Sequence, residues 1–293
     1  TLEVSSPGSF EPLTEMQGGG PFGLPAGYWT DDTSMAMCLA ASLIECGGFD
    51  AADQMRRYVR WWREGYWSST GRCFDIGGAT AAALGRFERT GEPASGSEDP
   101  WSAGNGSLMR LAPVALFYRQ DPAAAIRMAA ESSRTTHATR TCLDCCRYMA
   151  ALLVGALGGA AKDDLLSPMF EPVPGLWAGD PLCEEVGKVA RGSFRTKRPP
   201  GIKGSGYVVE SLEAALWAFH SHAGFEAGAL AAVNLGDDAD TTGAIYGQLA
   251  GAFYGEAAIP AKWANCIHRA EEIREVALRL YSASTAAGRA GRE

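Results

Sequence analysis

Twice in this chain a knot of carboxylates and hydroxyls stands directly before a long uncharged run of helical spacing, and this feature limits the fold more than any other. Asp237, Asp238, Asp240, Thr241 and Thr242 open residues 236–255, GDDADTTGAIYGQLAGAFYG. About two hundred residues earlier, Thr30, Asp31, Asp32 and Thr33 lead into SMAMCLAASLIEC. We expect the two helix starts to meet in the folded protein, with the rest of the chain as scaffold and substrate pocket around them.

Acids and hydroxyls at a helix N-terminus have an ordinary role, since they accept hydrogen bonds from unpaired N–H groups and favour the positive end of the helix dipole. One side chain suffices for that role, and a second carboxylate beside it mainly adds repulsion unless a cation lies between them. Asp238, Asp240 and Thr241 form a D-x-D-T set, and Thr30, Asp31 and Asp32 a T-D-D set. Ligation by oxygen alone suits a hard ion such as Mg²⁺, Mn²⁺ or Ca²⁺ and not zinc. Four carboxylates can hold two divalent cations and leave positions for water and a substrate hydroxyl, as metal-assisted hydrolysis requires. Asp237 is surplus, a cap or a support behind the ligands.

About ten apolar runs of helical spacing, against almost no sustained period-2 alternation, make the fold class all-α. With 293 residues, 46% of them hydrophobic, and no visible linker, we read residues 1–293 as a single orthogonal multi-helix domain, a monomer. The net charge of −8 argues against a partner held by bulk attraction, so neither nucleic acid nor an anionic membrane is expected. The longest apolar run, residues 148–161, falls short of the roughly 20 residues a bilayer needs. No signal peptide is visible in TLEVSSPGSF, and eight cysteines lying mostly inside helical patterns fit reduced thiols, so the expected compartment is the cytoplasm. Cys142, Cys145 and Cys146 read as buried thiols on one helix face, because no second pair completes a zinc site. Asp75 reads as a cap for the helix that follows it, and His220, His222 and His268 as surface or packing residues.

WTDDTSMAMCLAASL together with GDDADTTGAIYGQLAGAFYG resembles the signature of the ADP-ribosylglycohydrolase family, of the type that includes the dinitrogenase-reductase-activating glycohydrolases. CFDIGGAT (73–80), AGNGSLMRLAP (103–113), RTTHAT (134–139) and KGSGYVVESLEAALWAF (203–219) match in kind and order, so the resemblance covers nearly the whole chain. It implies an all-α fold, a centre of two Mg²⁺ or Mn²⁺ ions, and cleavage of the bond between C1″ of ADP-ribose and the group it modifies. The ligands it implies are Thr30, Asp31, Asp32, Asp238, Asp240 and Thr241. Family members also carry a helix with a G-D-A-x-G pattern that ends near a Glu; only TLEV stands here, which makes Glu3 that residue and a candidate catalytic group beside Asp32, Asp238 and Asp240.

For the substrate, GNGSLMR puts Gly104, Asn105, Gly106 and Ser107 at a helix start where bare N–H groups face a phosphate, and the resemblance implies contacts to the diphosphate and the distal ribose. His137 matches a family histidine beside the substrate. Ser205, Gly206 and Tyr207 follow Lys197, Arg198 and Lys203 in a basic loop, read as a rim over the adenosine and diphosphate with Tyr207 or Phe74 stacking on the base. The implied partner is an ADP-ribosylated protein or a small ADP-ribose conjugate. ADP-ribosyl-arginine is the first choice of linkage, ahead of serine-linked ADP-ribose, O-acetyl-ADP-ribose and ADP-ribosylated nucleic acid. A non-catalytic ADP-ribose-binding or structural relative and a metal-dependent phosphohydrolase are the rival readings.

Overall fold

The computed structural model describes residues 2–290, with side chains as far as 284. Its helices are α1 (Asp31–Cys46), α2 (Ala51–Glu64), α3 (Gly78–Thr90), α4 (Ala112–Phe117), α5 (Pro122–Arg134), α6 (Arg140–Leu157), α7 (Lys162–Leu165), α8 (Leu176–Gly179), α9 (Glu184–Ala190), α10 (Val208–Ser221), α11 (Phe225–Val233), α12 (Ala239–Tyr254), α13 (Ala261–Ala264) and α14 (Ala270–Ala290). Among the described residues strand pairing is confined to isolated bridges, so the fold is all-α as expected. None of these helices is long and apolar enough to cross a membrane.

Local signals place most boundaries. Asp50, Asp121 and Thr139 cap α2, α5 and α6 by accepting from the N–H of Asp53, Ala124 and Cys142, and Pro122 occupies the first turn of α5. α6 is the axis of the molecule. Every residue from Cys142 to Ala156 is buried, and α4, α5, α9, α10 and α12 pack around it. Cys142, Cys145 and Cys146 are part of that burial, which is the expected fate of thiols on a helix face. α12 in turn lies against α1, α6, α10 and α11. Its contact with α11 needs a glycine, because a Cβ on Gly228 would stand 2.2 Å from the Tyr246 hydroxyl oxygen.

One expectation is corrected at this level. Residues 104–107 do not start a helix: the segment 106–110 runs as turns, and α4 begins only at Ala112, with Pro113 in its first turn.

Candidate active site

The cap positions of α1 and α12 leave their helices uncapped. Thr30 and Asp238 occupy those positions, and neither side chain accepts a hydrogen bond from a backbone N–H of its own first turn. The Thr30 hydroxyl instead lies 2.7 Å from Asp240 Oδ2 and 3.0 Å from Asp32 Oδ2, joining helix starts 210 residues apart. Asp238 Oδ2 accepts from Asn105 Nδ2 at 2.7 Å. The acids that sequence reasoning could assign to capping are directed at each other.

Glu3 completes the cluster. One carboxylate oxygen from each of Glu3, Asp238 and Asp240 lies within 4.8 Å of the others. Residues 2–5 are held there by an antiparallel bridge, in which the Val4 N–H donates to Asp237 O at 2.8 Å and the Asp237 N–H donates to Ser5 O at 2.7 Å. Asp237 takes a left-handed conformation (φ 53°) to make that bridge, so its role lies in the backbone.

The cluster forms one wall of a cavity of about 240 Å³, also lined by Asp31, Asp75, Gly77, Gly78, Ala79, Thr80, Gly104, Asn105, Gly106, Met109, His137 and Thr241. No Lys or Arg is among these residues. Burial, followed by the charge of Asp75, raises Asp31 well above the usual carboxylate range, and burial followed by Asp240 does the same to Asp32. Glu3 is raised by burial and then by its hydrogen bond with Asp240, Asp238 by burial against a lowering hydrogen bond from Asn105. Asp75 is pushed up to about 6 by burial and then by Asp240 and Asp238. Two buried oxygens, Asp32 Oδ1 and Glu3 Oε2, have no hydrogen-bond partner. Unpaired buried carboxylates at this density are costly. A divalent cation among them would reverse the cost, and oxygens on opposite sides of one such ion stand about 4–5 Å apart. The donor set thus fits hard cations. Two further cavities of about 460 and 620 Å³ flank α1 and α12 with mostly apolar walls; the larger is also lined by Thr30 and Asp32, and Glu3 and Asp240 line both it and the 240 Å³ cavity.

Of the predicted site residues, Glu3, Asp31, Asp238, Asp240, Thr241, Gly104, Asn105, Gly106 and His137 line this cavity, while Thr30 and Asp32 stand just behind its acidic wall. Gly206 is adjacent: its carbonyl accepts from the Asn105 N–H at 3.1 Å, and a Cβ on it would meet Asp238 Oδ2 at 3.6 Å. Tyr207 is 40% exposed and pairs through its backbone with Gly104 in an antiparallel bridge, which puts it on the outer rim.

Three predicted residues turn elsewhere. Ser107 is buried, its hydroxyl accepting from Ser133 Oγ at 2.7 Å and lying 3.5 Å from Cys146 Sγ, so it braces the wall from behind. Ser205 Oγ donates to Glu210 in the first turn of α10 and accepts from the Tyr207 N–H at 3.2 Å, so both its bonds are made locally. Phe74 packs edge-on against Phe22, with ring centroids 5.3 Å apart, outside the cavity lining. Sequence reasoning missed Asp75. It was expected to cap α3, but Gly77 holds that position and Asp75 faces the cavity. The available signal was its spacing, two residues short of a capping site in a glycine-rich segment.

Comparison with known proteins gives one consistent result. The family model described as ADP-ribosylglycohydrolase matches residues 2–290. ADP-ribosylarginine hydrolase Tri1 of Pseudomonas putida (strain GB-1) is 42% identical over 281 residues, 96% of this chain and 73% of that protein. ADP-ribosyl-[dinitrogen reductase] glycohydrolase of Rhodospirillum rubrum is 29% identical over 254 residues, 85% of this chain and 76% of that protein. A solved structure titled ADP-ribosylglycohydrolase-related protein complex superposes with a TM-score of 0.84 at 46% identity, covering 96% of this chain and 91% of that one.

Proposed function

The chain belongs to the ADP-ribosylglycohydrolase family and is a glycohydrolase, and from that premise we propose that it removes ADP-ribose from arginine on a modified protein by a metal-dependent hydrolysis at C1″. The observation that carries the metal dependence is the crowding of Glu3, Asp238 and Asp240 within 4.8 Å, with no Lys or Arg in the cavity lining. The choice of arginine rests on two relatives, the Tri1 proteins of Pseudomonas putida and Serratia proteamaculans, both named ADP-ribosylarginine hydrolase.

In this reading Thr30, Asp31, Asp32, Asp238, Asp240 and Thr241 hold two divalent cations, Mg²⁺ or Mn²⁺. When bound, these supply Lewis acidity toward substrate hydroxyls and lower the pKa of a water. The protein does the rest. Asn105, which donates to Asp238 and to Ser211 Oγ at 2.9 Å, fixes one carboxylate of the set. Gly104 and Gly106 leave room for the ligand against His137, where side chains would close the wall. Glu3, next to Asp240 and with one oxygen unpartnered, is the carboxylate we assign to moving a proton during the displacement.

The test is incubation of the protein with Mn²⁺ or Mg²⁺ and arginine-linked, serine-linked, O-acetyl and nucleobase-linked ADP-ribose, with release followed by mass spectrometry. The arginine conjugate is expected to be cleaved fastest, the activity to disappear on chelation and to return with either metal. Full activity in chelated protein would end the metal-dependent reading, and preference for another linkage would correct the substrate.

A further inference from the structure

Behind the cavity wall lies a chain of buried polar groups that the proposed chemistry does not use. Arg110 is 1% exposed, its guanidinium carbon 4.7 Å from the centre of the Tyr58 ring. Its Nη1 donates to Gly106 O at 2.9 Å and its Nη2 donates to Thr136 Oγ1 at 2.7 Å. The same Thr136 oxygen stands 2.8 Å from His137 Nδ1.

Proton counting settles which way that last bond runs. A guanidinium only donates, so Arg110 occupies one lone pair of the Thr136 oxygen. Thr136 is fully buried, and its own hydroxyl proton has one acceptor in reach among the described residues, His137 Nδ1. Were Nδ1 protonated, two donors would converge on the Thr136 oxygen and the hydroxyl proton would be stranded in the core, a costly arrangement. We infer that Arg110, acting through Thr136, fixes His137 in the tautomer that carries its proton on Nε2, so that the ring presents a hydrogen-bond donor to the cavity. Burial, and then the charge of Arg110, push His137 down to about 3, in keeping with a neutral ring.

The Cε1–Nε2 edge of the ring faces the ligand space, and Nε2 is the polar atom on it. A Cβ on Gly106 would stand 3.2 Å from it and one on Gly104 3.5 Å, and both glycines line the cavity. Arg110 and Thr136 are then positioning residues, and the ligand atom opposite His137 is an oxygen acting as acceptor, a phosphate or ribose oxygen if the proposed substrate is right. His137 is excluded as a general base.

The test has two independent arms. Long-range ¹H–¹⁵N correlation on protein labelled with [¹⁵N]histidine, with a His137→Gln spectrum to assign the signal, reads the tautomer without substrate or metal. Wild type and Thr136→Ser should show a protonated Nε2 and a bare Nδ1, and Thr136→Val should lose that preference; a protonated Nδ1 in wild type would overturn the inference whatever the activity. In the kinetic arm, Thr136→Val should raise KM for ADP-ribosyl-arginine about tenfold with kcat within about twofold, and Thr136→Ser should restore it. An unchanged KM would overturn the ligand-facing half. Absence of hydrolysis in wild type would instead defeat the proposed function and leave the nitrogen signals to decide the tautomer.

Discussion

Asp144, fully buried in the first turns of α6, accepts from Arg140 Nε at 2.7 Å, from Arg147 Nη1 at 2.6 Å and from the Cys183 N–H at 2.7 Å. Asp32 is nearly as deep, 5% exposed in the first turn of α1, yet it has one hydrogen bond from the Thr30 hydroxyl and an Oδ1 with no partner. The residue type and the depth are the same, and the surroundings are opposite. Around Asp144 the chain supplies two guanidinium groups, with Asp180 bridging both from outside. Around Asp32 it supplies more carboxylates. A folded chain neutralises a buried charge that it keeps for stability, whereas one left unpaired among like charges points to neutralisation from outside the chain.

Exchange of each acid for its amide is the strongest way to break this contrast. Asp32→Asn should lower kcat on the order of a thousandfold and leave the urea midpoint of metal-free protein equal or higher, because a repulsive charge is gone. Asp144→Asn should leave Arg147 with only the exposed Asp180 as its ionic partner and lower unfolding stability by about 3 kcal/mol, with near-normal activity in whatever remains folded. Similar losses of stability in the two variants would erase the distinction between them. A smaller effect is expected at Asp75, which shares the cavity but stands outside the predicted ligand set. Asp75→Asn should weaken Mn²⁺ activation about tenfold, read as the metal concentration for half-maximal rate; no change would remove Asp75 from the site's electrostatics.

The smallest effect is on melting. Asp75 rises from 3.8 in the unfolded chain to about 6 in the fold, so between those values the native protein binds a proton that the unfolded chain has released. Native-state proton uptake means stability that is present at low pH and lost as pH climbs from about 4 to about 6. Metal-free protein should therefore melt a few degrees lower at neutral pH than near pH 5, and saturating Mn²⁺ should remove the difference. A melting temperature that rises with pH in chelated protein would show the carboxylates to be compensated from within.

The two acidic helix starts were legible in the sequence because surplus carboxylates before an apolar run are a local signal, and the fold class because helical spacing is local too. What was not legible depends on which side chain meets which. Ser107 and Ser205 look like ligand hydroxyls until Ser133, from a distant segment, and Glu210, from the first turn of the helix that follows, engage them. Asp75 looks like a cap until the backbone gives that position to Gly77. GNGS looks like a helix start, but the chain stays in turns until Ala112, and the bridge from Gly104 to Tyr207 then sets the wall's position. Arg110 sits in a motif singled out for its glycines, and only the packing of three segments reveals its partner Thr136.

The bridge between Ser5 and Asp237 has a mechanical consequence. Two backbone hydrogen bonds couple the segment that carries Glu3 to Asp237, the residue immediately before Asp238, and a Cβ on the preceding Gly236 would stand 2.6 Å from Ser5 O. A displacement of residues 2–5 is therefore delivered to the acidic wall without passing through the helical core.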